Sequence, residues 1–207
     1  RILVFWSVSL VAIFLGISST QAQLDQSRDL EQTFFAGAFF DPAVSGQSQL
    51  VKYLVTPQIN DGSAPQGNEL SILARDALRQ EKAFLQATNH RLSGSTDGNP
   101  IAIYLSRAQH QTFIQSGSNV SVHYTWISVT VHLDIFTDEA AFENSKRFES
   151  LYSQLQMVNQ PIRTEGPLSH SRLEREYREL FIQAVRELAR RSAEDLEWSR
   201  SRADPVF

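Results

Sequence analysis

The sequence predicts an α/β domain, with α+β as the alternative: one mixed sheet of about four to five strands, packing helices and a long C-terminal helix. Three observations carry that expectation. An apolar block at 33–40 ends at Asp41-Pro42, apolar residues alternate with polar ones from Val120 to Ile135, and the last third repeats apolar residues at helical spacing as far as Trp198. With 42% hydrophobic residues, 20% charged residues and a net charge of -4, the chain has the apolar content for a core. The same balance excludes a disordered composition, and the lack of basic excess excludes nucleic acid as an expected partner.

Before the domain, residues 1–22 read as a secretory signal peptide. Arg1 leads into a predominantly apolar run at 2–17, and small residues at Thr20 and Ala22 place the cut before Gln23. A retained anchor is the alternative, but an apolar run of ~16 residues falls short of the ~20 that span a bilayer. The expected organisation is a signal peptide at 1–22, a flexible lead-in at 23–32, a single globular domain at 33–200 and a polar tail at 201–207. The protein is therefore expected in the periplasm or outside the cell, with no stable membrane insertion after cleavage. Cysteine is absent, so the fold uses no disulfide, and thiol catalysis, Cys-based zinc sites and a lipid-bearing cysteine are all excluded. Asn119-Val120-Ser121 is a glycosylation acceptor only if the host is eukaryotic.

Taken in order, 33–40 is a buried first strand, weakened slightly by Gly37 and closed by Pro42, which cannot donate to a ladder. Residues 49–55 fit either a helix or a strand, and 56–68, with its prolines and glycines, is a loop. Asn68 reads as the N-cap of an amphipathic helix that puts Leu70, Leu73, Ala77, Leu78, Phe84 and Leu85 near one face. Turn-forming residues at 93–100 precede a strand with Ile101, Ile103 and Leu105 on one side. In the long strand that follows, Val120, Val122, Tyr124 and Trp126 alternate in one phase and Ile127, Val129, Val131, Leu133 and Ile135 in the other. A β-bulge between Trp126 and Ile127 would keep both sets on one face; otherwise Tyr124 and Trp126 face the other side of the sheet and pack beneath a helix.

Residues 140–148 favour a helix, and 151–158 fit a returning strand bounded by Asn159-Gln160-Pro161. The last helix shows a Ser171/Glu174 capping-box pair and an apolar stripe of Leu173, Tyr177, Leu180, Phe181, Ala184, Val185 and Leu188. Past Leu188 the stripe thins among Arg190, Arg191, Glu194, Asp195 and Glu197, so its end is expected to project beyond the core. Glu174 with Arg178 and Glu187 with Arg191 are spaced as helical ion pairs.

No phosphate loop, nucleophile elbow, HExxH helix or EF-hand loop occurs. His90, His110, His123, His132 and His170 are scattered, and His123 and His132, nine positions apart in one strand, stand ~30 Å apart and cannot share a metal through it. No catalytic residue, metal site or cofactor is expected. Three residues remain as possible partner or ligand contacts: Asp41 at the end of the first strand, Asp134 inside the long strand, and Trp198 near the end of the last helix. The first two also read as a turn former and as the polar member of an alternating pair.

The strand at 34–41, the helix after it, the long strand at 129–136 with its Thr137-Asp138-Glu139 turn and the long final helix follow the element order of envelope accessory domains. In that respect the chain resembles the periplasmic domain of the curli secretion channel, the lipoprotein activators of penicillin-binding proteins and the N-terminal domain of TolB. That element order implies a fold and not a role; with no motif for chemistry, the expected function is a non-enzymatic envelope accessory protein that binds another envelope protein through its sheet edge or its charged helix. A periplasmic small-ligand-binding module is the alternative, and a hydrolase without a recognisable motif the third.

Overall fold

The computed structural model describes residues 30, 32–41, 69–90, 97–117, 121–143 and 150–203. The expected signal peptide, nearly all of the lead-in, the 49–55 segment, the 56–68 loop with its Asn68 cap, most of the 93–100 turn, Asn119 and residues 204–207 lie outside them.

Four strands, β1 (Thr33–Phe40), β2 (Asn99–Ser116), β3 (Ser121–Phe136) and β4 (Ser150–Thr164), form one mixed sheet in the order β1-β2-β3-β4. β1 runs parallel to β2, and β2, β3 and β4 form an antiparallel meander. Helices α1 (Glu69–Arg79) and α2 (Lys82–Ala87) make the crossover from β1 to β2; α3 (Glu139–Glu143) follows β3, and α4 (His170–Ala203) follows β4. The fold class is the α/β arrangement that the strand and helix patterns predict.

The main core lies between one sheet face and a layer made by α1, α2 and α4. Ile127, Val129, Val131, Leu133 and Ile135 of β3 meet Tyr177, Phe181, Val185 and Leu188 of α4 there, all fully buried. Burial of this kind contributes ~1.5–3 kcal/mol for each large side chain. On the opposite face a smaller cluster of Ala102, Tyr104, Phe136 and Ala141 is closed by Phe39 and Phe142, with Phe136 and Phe142 edge-to-face at 5.7 Å. Asp138 caps α3 by accepting the Ala141 N–H at 2.8 Å.

The expected bulge between Trp126 and Ile127 is not formed. Pairing is continuous through that point on both sides, Trp126 lying between Gln111 and Pro161 and Ile127 between His110 and Gln160. The phase change instead marks a strand with two apolar faces: Tyr124 and Trp126 point away from the helix layer. The bulge is in β2, between Leu105 and Arg107, and it swaps the β2 residues facing the helices from Ile101, Ile103 and Leu105 to Ala108 and His110.

The crossover helix is two helices. At its end Gln80 and Glu81 donate to carbonyls three residues back, Ala77 and Leu78, and the chain turns before Lys82. The turn brings Phe84 wholly into the core and sets Glu81 against α4, where Arg190 Nε reaches it at 3.0 Å and Arg186 at 3.7 Å.

At 138–158 α3 and then β4 follow in succession, residues 144–148 of the expected helix lying outside the described residues, and β4 continues through Pro161 to Thr164. An edge strand tolerates that proline because one row of its N–H groups has no partner strand. The α4 cap is Ser169, whose hydroxyl accepts the Arg172 N–H at 3.4 Å, and not Ser171. Of the helical pairs, Arg178 binds Glu174 at 2.7 Å and also Glu69 of α1. Glu187 accepts hydrogen bonds from Gln156 of β4 and Gln183. The end of α4 does not project: Ser192, Ala193 and Leu196 are buried, because small residues carry the stripe past Leu188 where large ones stop. The helix also runs into the expected tail, as far as Ala203.

Candidate functional site

Strict alternation along β3 sends Ile127, Val129, Val131, Leu133 and Ile135 to the helix layer, so Tyr124, Trp126, Ser128, Thr130, His132 and Asp134 go to the other face. The aromatic cluster around α3 occupies one end of that face. Toward the other end the pairing gives successive rows: Arg107, Thr130 and Met157; Gln109, Ser128 and Asn159; Gln111, Trp126 and Pro161; Phe113, Tyr124 and Arg163. Here Phe113 (52%), Trp126 (51%) and Met157 (40%) are solvent-exposed, and Leu155 joins them beside His132. Isolated exposed apolar residues are ordinary on a protein surface; four exposed on one sheet face, interleaved with Tyr124, make a patch. Its two arginines, Arg107 and Arg163, stand at opposite ends of the patch, and no carboxylate occurs in these four rows.

Asp134 lies farther toward α3 on this face, opposite Ala102 and Ser153. It is buried, and its carboxylate accepts the Ser153 hydroxyl at 2.5 Å. Asp41 is also buried and continues the β1–β2 pairing through its N–H to the Leu105 carbonyl at 3.1 Å. Trp198 is exposed on α4, the element on the opposite side of the sheet from Asp134. The three candidate contacts therefore sit on different elements, and Asp134 and Trp198 on opposite sides of the sheet.

His123 and His132 fall on opposite faces of β3, in keeping with their odd separation of nine positions. His110 Nδ1 lies 2.9 Å from the Tyr177 hydroxyl, and His90 Nδ1 lies 3.2 Å from that of Thr33. Burial lowers the pKa of both histidines, and the Arg79 charge lowers that of His90 further. Among the described residues no group of three or more His, Cys, Asp or Glu side chains is placed to hold a metal ion.

Sequence reasoning missed Phe113, Trp126, Leu155 and Met157. A signal for Phe113 and Trp126 was present: no Asp, Glu, Lys or Arg occurs between Arg107 and Asp134, in a chain where a fifth of the residues are charged. That stretch is the β2–β3 hairpin arm and its continuation into the core.

No family model matches the chain, and no curated protein does. Among solved structures it is similar to a Xanthomonas campestris protein described by the family name DUF330, at 10% identity and a TM-score of 0.41, covering 84% of this chain and 89% of that one. A minor lipoprotein from Acinetobacter baumannii matches at 11% identity and a TM-score of 0.30, covering 83% and 94%. A Helicobacter pylori protein named as a homologue of a neuraminyllactose-binding hemagglutinin matches at 9% and 0.40, covering 83% and 88%. None of the three carries the name of the curli channel, the penicillin-binding-protein activators or TolB. Likeness at this level transfers no residue's role, and among the described residues no helix is long and apolar enough to cross a membrane.

Proposed function

We propose that this chain is an exported cell-envelope accessory protein that works by binding another protein, not by catalysis. The exposed apolar side chains on the sheet face around Trp126 carry the proposal. Its apolar centre and flanking Arg107 and Arg163 fit a partner surface of the opposite make-up, apolar in the middle with carboxylates at the rim. The leader-like pattern at 1–22 supports export, and the interior of the sheet is filled by side chains of the two clusters.

A photo-crosslinking amino acid placed at Trp126 or Met157 in the native cell tests the proposal. One at the exposed Arg175 of α4 serves as the control. The expected result is one discrete protein adduct from the two sheet positions, weakened when Arg107 and Arg163 are changed to Glu, and none from Arg175. Equal labelling at all three positions, or no adduct from the sheet, refutes it.

A further inference from the structure

β4 ends the sheet on the side away from β1, and among the described residues no strand pairs with its outer side. Pro161 sets the parity of its ladder, because it has no N–H to give Trp126. The even-numbered residues therefore bond to β3, while Ser153, Leu155, Met157, Asn159 and Pro161 turn their backbone groups outward. The same five residues are exposed. Edges of this kind are commonly blunted by lysine, inward charges or proline, and none occurs from Leu151 to Gln160. The helix side of the edge is acidic. Glu187 and Asp195 of α4 hold neutral donors of β4, Gln156 at 2.9 Å and Tyr152 at 3.1 Å, and among the described residues neither makes an ion pair. Glu194 is exposed on the same flank, and Arg190 is engaged by Glu81, so Arg191 stands against three carboxylates. Gln156 is 5% exposed; its amide nitrogen also donates to the outward Met157 carbonyl at 3.2 Å, and its amide oxygen has no donor. A buried acceptor without a donor marks a place for an incoming one.

We infer that the partner protein adds an extended segment to the outer edge of β4, with lysine or arginine opposite Tyr152 and Gln156 and apolar side chains opposite Leu155 and Met157. Residues directly opposite each other in a ladder share a face of the sheet. The basic side chains therefore meet Asp195, Glu187 and the Gln156 amide, and the apolar ones extend the patch around Trp126. The Met157 carbonyl, which accepts Gln156 with one lone pair, keeps the other for an N–H of the added strand. A second copy of β4 fits worse: a two-fold pairing that puts both helix layers on one side of the joined sheet brings the two acidic flanks of α4 against each other. The inference rests on the partner binding proposed above and adds its mode.

The probe is a synthetic peptide of alternating lysine and valine, fluorescently labelled and titrated into the full-length protein by anisotropy. Saturable binding is expected, weakened about tenfold or more in a glutamate–valine peptide and in a lysine–valine peptide N-methylated at alternate backbone amides, which keeps the charge and removes the ladder donors. On the protein side, Leu155→Pro removes one outward N–H and leaves the bonds to β3 in place, as Pro161 does. It should abolish peptide binding with the circular dichroism unchanged, whereas Leu155→Ala should retain binding, and Glu187→Gln should weaken it severalfold. A lysine–valine peptide that binds no better than the glutamate–valine one, or as well when N-methylated, overturns the inference. So does a Trp126 cross-link in the cell that is undiminished in the folded Leu155→Pro chain; that result leaves partner binding standing and removes only strand addition.

Discussion

Tyr152 and Asp195 are joined across the interface between β4 and α4: the buried phenol donates to the Asp195 carboxylate at 3.1 Å. Asp195 lies in the stretch that its charge marked as a projecting end, and the hydrogen bond holds that stretch on the domain. Replacement of Tyr152 by Phe should cost ~0.5–1.5 kcal/mol, read as a shift in denaturant midpoint with unchanged slope.

Truncation after Arg191 should cost more, ~3–5 kcal/mol, because it exposes the surface that Ala193 and Leu196 cover and leaves Tyr152 without its acceptor. Thermal unfolding of the truncated chain is the measurement; a melting curve matching the parent would mean that this end of α4 contributes nothing.

The alkaline limb of stability should also change in the Tyr152→Phe protein. Burial, above all, raises the phenol's pKa; the Ser192 hydroxyl opposes this, and Asp195 adds to the rise. A raised folded-state value means that the folded protein keeps a proton which the unfolded chain releases near pH ~10. The contribution is complete below that pH and declines above it. Urea titrations above pH ~10 should therefore show a steeper loss in the parent than in Tyr152→Phe.

On the acid side the sign reverses. His90 and His110 are held below the ordinary value of ~6.5, chiefly by burial, so the unfolded chain takes up protons that the folded one refuses. Stability should be full above pH ~6.5 and fall as the pH drops below it. The double variant His90→Gln, His110→Gln should flatten that decline in urea titrations between pH ~7 and ~5.

Leu133→Ala, at a fully buried position between β3 and the helix layer, should cost ~2–5 kcal/mol, and Phe181→Asp should prevent folding by forcing a charge into the same core. Trp126→Ser, half exposed on the other face, should leave the denaturant midpoint within ~0.5 kcal/mol of the parent. Loss of the Met157 adduct in the Trp126→Ser chain at unchanged stability would separate binding from folding.

Much of this architecture is legible in the residues themselves. The apolar block at 33–40, the alternation along β3 and the stripe of α4 each bury one continuous face, and a period in sequence reports such a face directly. Other features are set by contacts between distant segments. The break before Lys82 places Phe84 in the core and Glu81 on Arg190, neither of which a helical period encodes. The β2 bulge is a feature of its register against β3, and no bulge-forming residue marks it. Around Trp126 the pattern misled because apolar alternation was taken as evidence of burial, and an exposed sheet face with aromatic residues produces the same alternation. The buried end of α4 was misjudged because small residues such as Ser192 and Ala193 in a charged stretch leave little trace in a hydrophobic stripe, although close helix packing favours them.

β1 is the short member of the sheet and the one whose pairing is wholly non-local, Thr33 meeting Asn99 across the entire crossover. The meander of β2, β3 and β4 is joined by a hairpin and by the local connection through α3, so it can zip up early, while β1 must wait for a longer loop to close. At the start of that late pairing Gly98 has a φ of +119°, and a Cβ there would collide with the Gln32 carbonyl, which accepts the Asn99 N–H at 2.9 Å. Assembly and breathing of the molecule are thus polarised along the sheet. Amide hydrogens of β1 should exchange with solvent through partial openings that leave β3 protected, and Gly98→Ala should speed exchange in β1 far more than in β3.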